Sequence, residues 1–379
     1  MGLFIGIITG LIILVILVVV HELGHAIIAR RNGVVVEEFG IGLPPRAWKK
    51  KLKNKVLLSL NWLPLGGFVK LQGENDAAKK KGDYGAASFA GKTKILFAGV
   101  IANWLLAAIL LTILALVGLP KILPNQISIP SDTTIVSQPV EIASLTKGYP
   151  AVKAGLESGD KIIRFANQPV PTVDRLVELI KLNKGKNVVV VYSRDGSENI
   201  VNVNLKNDAK GEILGAGLGQ RESIKATWSA PLVGIATTVQ FTWVTFQGLG
   251  DLISNLVSGL IFQLSPDNSV REQASKGLDT VSNSVAGPIG IIGTIFPAAQ
   301  QAGAIQLIFL TAIISLSLAV MNILPIPALD GGRWFMMAMF RLTKKKLTKE
   351  REEKIQMIGF SILMGLIILV TIADVTKLF

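Results

Sequence analysis

Val18-Val19-Val20-His21-Glu22-Leu23-Gly24-His25 closes a long apolar run, and this stretch determines how the rest of the chain is interpreted. Residues 2–20 contain no charge and consist almost entirely of Ile, Leu, Val and Gly. On a helix, His21 and His25 project from one face and can share a metal ion, and Glu22 can reach a metal-bound water as a general base. The alternative is a polar patch at a helix end, although ionisable groups within a membrane span are typically functional.

The composition is that of an integral membrane protein. Only 17% of the 379 residues are charged, and the mean hydropathy is +0.51. The net charge of +13 is concentrated between the hydrophobic segments. This distribution follows the positive-inside rule and argues against nucleic-acid binding. The absence of cysteine excludes disulfides, thiolate zinc sites and a cysteine nucleophile.

Four apolar segments are predicted to span the membrane, at 3–30, 95–118, 304–324 and 355–375. Residues 226–250 carry no charge but are rich in Thr, Ser, Gln and Trp, and we expect them to be interfacial; six spans remain the alternative. The loop at 46–55 is basic and lacks acids, which places it in the cytoplasm and the N-terminus outside. The two histidines therefore lie towards the cytoplasmic leaflet.

Asp330 is predicted to complete the metal site. Catalytic zinc uses three protein ligands and a water, and the chain has two histidines and no cysteine, so the third ligand is Asp or Glu. Asp330 is the carboxylate that follows a predicted span and precedes a basic loop, 341–354. With four spans, the third runs from outside to inside and brings Asp330 to the leaflet of His21.

Residues 34–72 have the character of β-strands, at 34–36, 56–60 and 67–71. An unpaired strand edge directly after a metal motif could hold a substrate backbone by strand addition. A surface hairpin that tethers two helices is an equally good interpretation.

Two further features concern the backbone of the membrane segments. Pro325 and Pro327 are predicted to break a helix, and Gly331-Gly332 to let the backbone turn, which leaves Asp330 on irregular backbone. In the second span, Gly99 and Asn103 suit close helix packing.

Residues 121–220 differ from their surroundings, since charges of both signs return and short β-rich runs alternate with turn signals. The pattern A-G-L-x-x-G-D-x-I at 154–162 is followed by an amphipathic helix at 173–181 and two strands around the turn at 194–196. This region resembles a PDZ domain, a fold that binds peptide ends or segments by strand addition. After two spans it lies outside, and a general scaffold role is the alternative.

Taken in order, the motifs resemble the site-2 protease family, intramembrane zinc metalloproteases of the bacterial RseP/RasP type. The resemblance covers nearly the whole chain. Its motifs are H-E-L-G-H, P-L-G-G-F-V-K-L, A-G-x-x-A-N, the PDZ pattern, G-P-I-G-I and N-x-x-P-x-P-x-L-D-G-G. RseP itself has two tandem PDZ domains, whereas this sequence shows one, and Val100 stands where the second-span motif usually has Pro.

The resemblance implies a role for each candidate site residue. Zn²⁺ is bound by His21, His25 and Asp330, and Glu22 is the general base. The remaining residues are implied to contact the substrate: Asn322 near the scissile bond, and the hairpin residues Gly66, Gly67 and Phe68, which hold it as a strand.

The sequence thus predicts an α-helical polytopic membrane protein with four core transmembrane helices, a membrane-associated β-hairpin and an inserted α+β PDZ domain. The predicted division is an N-terminal membrane core (1–125), the PDZ domain (126–220), an interfacial segment (221–303) and a C-terminal membrane core (304–379). The protein is expected in the bacterial cytoplasmic membrane, with its N-terminus and PDZ domain outside.

The implied function is regulated intramembrane proteolysis. The substrates would be transmembrane segments of single-span proteins, such as anti-sigma factors or remnant signal peptides, and the other partners are membrane lipid and a peptide or substrate segment at the PDZ domain. One alternative is a proteolytically inactive PDZ scaffold that retains a zinc site. A metal transporter would need further ligands along a path, and a zinc hydrolase of lipids is opposed only by the family resemblance.

Overall fold

The computed structural model describes residues 2–207, 213–263, 265, 267–284 and 286–376. The chain forms two compact units. The helical unit comprises Met1–Leu114 and Pro231–Phe379, and the inserted unit comprises Ala115–Ala230. The four-part division drawn from the sequence stays a prediction.

The helices and strands fall into three parts along the chain. The first part contains α1 (Gly2–Arg31), β1 (Val36–Lys51), β2 (Leu57–Leu71), a 3-10 turn (Tyr84–Ala86) and α2 (Phe89–Val117). The middle part contains β3 (Leu119–Pro120), β4 (Thr134–Ser137), β5 (Val140–Leu145), α3 (Pro150–Lys153), β6 (Lys161–Phe165), β7 (Gln168–Pro169), α4 (Val173–Leu182), β8 (Asn187–Arg194), β9 (Ser197–Asn204), β10 (Ala216–Gly219) and β11 (Glu222–Lys225). The last part contains α5 (Ala230–Phe262), α6 (Asn268–Ser284), α7 (Pro288–Gly290), a π-helical turn (Ile291–Ile295), α8 (Phe296–Gln301), α9 (Ala304–Ile323), α10 (Asp330–Leu342) and α11 (Lys349–Thr376).

Among the described residues, four helices are long and apolar enough to cross a membrane: α1, α2, α9 and α11. They coincide with the four predicted spans, which confirms a polytopic helical membrane protein. Both α2 and α11 begin six residues before the predicted apolar boundary, at Phe89 and Lys349. Lys, Arg and Glu are good helix formers, so the helices continue beyond their apolar stretches.

The segment predicted to be interfacial forms most of α5, a continuous helix of 33 residues. This helix is not among the four candidate spans. It packs within the helical unit nevertheless, because Trp104 Nε1 of α2 donates to Thr242 Oγ1 at 3.1 Å. The Phe241 ring lies 5.9 Å from the Phe309 ring of α9.

The strands β1 and β2 form an antiparallel two-stranded sheet that is folded over on itself. Gly40 of β1 is in register with both Phe68 and Ser59 of β2. Val36, Phe39 and Leu71 of this sheet belong to a buried apolar cluster that also contains residues of α1, α2 and α10. The cluster fixes the hairpin to the helices, and the strand character predicted for this region is confirmed.

In the inserted unit, a sheet of strand order β10-β5-β6-β8-β9 carries β7 beside β6. The helix α4 begins where the Thr172 hydroxyl accepts from the Arg175 N–H at 3.2 Å, an N-cap. Its buried side chains Leu176 and Leu179 join the core of the sheet. A second sheet of order β3-β11-β4 lies in the same unit.

Around Asp330 the structure corrects one prediction. The chain leaves α9 at Ile323, and Asp330 is the first residue of α10, so it lies on helical and not on irregular backbone. Gly331 and Gly332 do not form a turn, since both lie buried in the first helical turn. A Cβ atom at either position would overlap backbone atoms of the chain before α10, so these glycines permit close packing there.

Candidate active site

Three side chains from two helices converge at one point. His21 and His25 lie on α1, and their Nε2 atoms are 3.1 Å apart. Asp330 at the start of α10 places its Oδ2 atom 3.2 Å from His21 Nε2 and 3.3 Å from His25 Nε2. The helical spacing of the histidines thus brings both rings together as the sequence indicated, and Asp330 lies beside them.

The site depends on a close approach of α2 to α1. A Cβ atom added at Gly99 would lie 2.5 Å from His25 Nε2 and 2.6 Å from His21 Cε1. A Cβ atom added at Gly24 would overlap the Ala98 carbonyl. Gly99 was predicted to serve helix packing alone, whereas its backbone in fact lies directly against both imidazole rings.

Hydrogen bonding orients one of the rings. His25 Nδ1 lies 2.8 Å from the backbone carbonyl of Ile95. A carbonyl oxygen only accepts, so Nδ1 carries a proton, and Nε2 is the ring nitrogen that faces Asp330. Within the described residues, the buried atoms His21 Nδ1 and Asp330 Oδ2 have no hydrogen-bond partner. Unsatisfied polar atoms at the focus of such a cluster need an explanation.

A cavity of about 330 Å³ opens at the cluster. Its lining includes the predicted catalytic residue Glu22 and two predicted substrate contacts, Phe68 and Asn322. Val69 of β2, next to Phe68, lines the cavity as well. The structure therefore brings Glu22, the hairpin and the histidines to one cavity.

The remaining predicted residues have distinct positions. Gly67 lies near Glu22, because a Cβ atom added at Gly67 would be 3.7 Å from Glu22 Cγ. Gly66 has a positive φ of 87°, and the nearest group to its Cβ position is Leu43, at 3.6 Å. It does not line the cavity, so its contribution is the conformation of the strand. The Asn322 amide donates to the Leu318 carbonyl at 3.0 Å.

Arg333 is a residue of this site that the sequence analysis missed. It lines the cavity one helical turn after Asp330, and its guanidinium lies 4.6 Å from the centre of the Tyr84 ring. Its Nη1 donates to Glu74 at 3.1 Å, and its Nε to Glu352 at 3.3 Å. Arg333 therefore ties the start of α10 to the segment after the hairpin and to α11. The i, i+3 spacing from Asp330 was the available signal.

Two imidazole nitrogens and one carboxylate oxygen form a donor set typical of a catalytic metal, with a second carboxylate, Glu22, on the same cavity. The cluster lies between helices long and apolar enough to span a membrane. Fold and site together define a membrane-embedded, metal-dependent hydrolase.

Comparison with known proteins agrees with this class. The profile of peptidase family M50 matches residues 9–366. A relative from Clostridium acetobutylicum named "Putative zinc metalloprotease" is 30% identical over 98% of both chains. The zinc metalloprotease RasP of Geobacillus kaustophilus is 26% identical over 99% of this chain and 98% of its own. The probable protease eep of Enterococcus faecalis is 24% identical over 98% and 99%.

The chain belongs to peptidase family M50, the site-2 protease family. The resemblance stated from the motifs is thereby confirmed. The protein is a zinc metalloprotease and a multi-pass bacterial membrane protein.

Proposed function

We propose that this protease cleaves peptide bonds within the transmembrane segments of single-span membrane proteins, with His21, His25 and Asp330 holding its zinc and Glu22 acting as general base. The observation that supports this most is the convergence of three ligand atoms, 3.1 to 3.3 Å apart, on a cavity that Glu22 also lines.

The three side chains fit zinc on chemical grounds. Two neutral imidazoles and one carboxylate match the ligands of catalytic zinc and leave a fourth position for water. The hydrogen bond of His25 Nδ1 to the Ile95 carbonyl presents Nε2 as a ligand, and Asp330 Oδ2 is buried without a hydrogen-bond partner among the described residues.

A zinc ion held by His21, His25 and Asp330 would act as a Lewis acid on the scissile carbonyl and would lower the pKa of the attacking water towards about 7. Glu22 accepts a proton from that water and returns it to the leaving amine.

The hairpin supports the binding of an unwound substrate. A helical substrate hides its carbonyls in its own hydrogen bonds, so it must open locally before cleavage, and the freed groups need partners. Residues 67–71 pair with β1 along one edge, and Phe68 and Val69 line the cavity. We propose that the substrate adds to the other edge as a strand, with Asn322 near the scissile bond.

The inserted unit is proposed to be a PDZ domain that restricts entry of substrates. Its six-stranded sheet and the amphipathic α4 support this assignment. One of its two edge strands, β10, carries the sequence Ala216-Gly217-Leu218-Gly219 and pairs with β5 alone among the described residues, so it offers a free edge to a peptide. The positive-inside rule places this unit and the N-terminus outside and the zinc towards the cytoplasmic leaflet.

Replacing Leu119–Lys225 by a short Gly-Ser linker tests the restriction. The Ala226 N–H donates to the Ala115 carbonyl at 2.7 Å, so the two ends can be joined. We expect the shortened protein to cleave full-length substrates that the complete chain refuses. Continued refusal would count against a role in substrate entry. The proposed substrates are anti-sigma factors or remnant signal peptides.

A cleavage assay with Glu22→Gln tests the mechanism itself. The enzyme and a single-span reporter are reconstituted together in vesicles. The cleavage rate and the zinc content are measured for the wild-type enzyme and for the variant. We expect about a thousandfold slower cleavage at unchanged zinc content, because the variant loses only the proton acceptor. Equal cleavage rates would refute Glu22 as the base.

A further inference from the structure

A second cavity lies between α1 and α2 and has no part in the chemistry described above. We name this cavity the lipid groove. Its volume is about 530 Å³, and neither the candidate metal ligands nor Glu22 line it. Its floor is formed where Gly24 meets the backbone of Ala98, since no side chain separates the two helices there. Direct backbone contact leaves a channel between the flanking side chains.

The lipid groove is apolar along most of its length. Ile27, Ile101 and Leu105 line it, and these side chains are 49%, 54% and 50% exposed. Ala102 and Ala98 are small and keep it open. Side chains of this type, exposed within candidate membrane spans, face hydrocarbon and not water.

One end of the lipid groove is cationic. Arg31 at the end of α1 and Lys94 near the start of α2 line it there. Neither forms an ion pair with a carboxylate of the described residues. Asn32 lies close to Gly91, so the two helices meet at this end. Leu105 is eleven residues from Lys94, which corresponds to roughly 16 Å along a helix.

We infer that the lipid groove binds a phospholipid with a net negative headgroup, such as phosphatidylglycerol. The phosphate lies between Arg31 and Lys94, and one acyl chain follows Ile27, Ile101 and Leu105. The groove matches such a lipid in the order of its parts. Its cationic end lies where the lipid has its charged headgroup, and its apolar length lies where the lipid has its acyl chain. The two unpaired cations account for the preference for an anionic headgroup.

Charge also argues against a protein occupant. Transmembrane helices carry Lys and Arg at their cytoplasmic ends, the end at which Arg31 and Lys94 are proposed to lie. A substrate helix or a second copy of this chain would bring like charges together at that end. An anionic lipid brings the opposite charge and fills the apolar length with a single flexible chain.

Native mass spectrometry of the full-length protein tests this inference. The protein is reconstituted with phosphatidylethanolamine and a minority of phosphatidylglycerol, then extracted in mild detergent, and the retained lipid is counted. The test variant combines Arg31→Gln with Lys94→Gln. The matched control combines Arg30→Gln with Lys53→Gln, two exposed cations that do not line the groove.

We expect one retained phosphatidylglycerol in the wild type and in the control. The test variant should retain it about thirtyfold less, because each cation beside an anionic headgroup contributes roughly fivefold. Each single variant should lose about fivefold, so the inference stays testable even where the double variant folds poorly. A variant that combines Arg31→Lys with Lys94→Arg keeps both positive charges, so it should retain phosphatidylglycerol as the wild type does.

Two further arms separate a lipid from its components. Glycerol 3-phosphate has the headgroup chemistry without acyl chains, and we expect it not to displace the lipid at millimolar concentration. A phosphatidylglycerol with a photoactivatable acyl chain should crosslink to residues 24–32 and 94–105. Equal retention by test and control variants, equal retention of phosphatidylethanolamine, displacement by glycerol phosphate, or crosslinks elsewhere would each overturn the inference.

Discussion

Asp330 in the helical unit and Asp160 in the inserted unit are two carboxylates in opposite situations. Both Asp160 oxygens are satisfied, since Arg194 Nε donates to Oδ1 at 2.7 Å and Arg194 Nη2 to Oδ2 at 2.8 Å. The Glu157 N–H donates to Oδ2 as well, at 2.8 Å. Asp330 Oδ2 faces only two imidazole nitrogens and has no hydrogen-bond partner among the described residues.

This difference separates a structural carboxylate from a candidate metal ligand. Burial alone raises the pKa of Asp160, but its hydrogen bonds to Arg194 and to the Glu157 N–H outweigh burial and lower that pKa below its ordinary value. The chain itself thus completes the surroundings of Asp160. A cation between Asp330 and the histidines would give its Oδ2 atom a partner, which is why the comparison supports the proposed metal site.

Of the changes considered, Gly99→Ala should have the largest effect, and it should act on the candidate metal site. The added methyl group would lie 2.5 Å from His25 Nε2, so the rings must move away from Asp330. We expect zinc affinity, measured by competition with a chelator, to fall about 10- to 100-fold, as when the support of a metal ligand is disturbed. Gly248→Ala is the matched control, because nothing lies within 4 Å of its Cβ position. Equal affinities in the two variants would refute a role for this close approach.

Asp160→Asn should affect stability and leave the metal site intact. We expect the inserted unit to lose about 2 kcal/mol, because the charged hydrogen bonds from Arg194 are weakened. Hydrogen exchange of β6 and β8 in the full chain measures this loss. In the control Glu157→Gln, Arg194 loses a partner that is 66% exposed, so the change should stay below about 0.5 kcal/mol. Equal exchange rates in the two variants would contradict the structural role of Asp160.

The smallest expected effect is a dependence on pH. The pKa of Asp160 is lower in the folded protein than its ordinary value of 3.8, so its contribution to stability is complete above pH 3.8. The contribution is lost as the pH falls below 3.8 through the folded pKa. Once it is corrected for the intrinsic pH dependence of amide exchange, hydrogen exchange in β6 should therefore accelerate on acidification below this pH in the wild type, and less so in Asp160→Asn. The same acceleration in both proteins would mean that other groups dominate.

The spans and the convergence of the candidate ligand side chains could be predicted because they depend on short-range or topological patterns. The i, i+4 spacing aligns His21 with His25 whatever surrounds them. The order of the spans was sufficient to single out Asp330. The prediction of irregular backbone at Asp330 was wrong, because Gly331-Gly332 is a typical turn signal. In the structure these two glycines lie in the first turn of α10 and permit close packing there.

The supporting groups could not be predicted from the sequence. The Ile95 carbonyl is a backbone group, so no residue type indicates its role. Arg333 has a partner, Glu74, that is 259 residues away in the chain, and only the folded structure brings the two together. The role of Gly99 depends likewise on which face of α2 meets the histidines.

The zinc content of Asp330→Asn, compared with that of Asp160→Asn, tests the central claim most directly. Both substitutions remove one buried carboxylate charge and keep its shape. Each full-length protein is purified from membranes, exposed to a weak chelator and analysed for zinc per chain. We predict close to one zinc ion per chain for the wild type and Asp160→Asn, and about a tenth of that or less for Asp330→Asn. Stoichiometric zinc in Asp330→Asn would contradict the assignment of Asp330 as the third ligand.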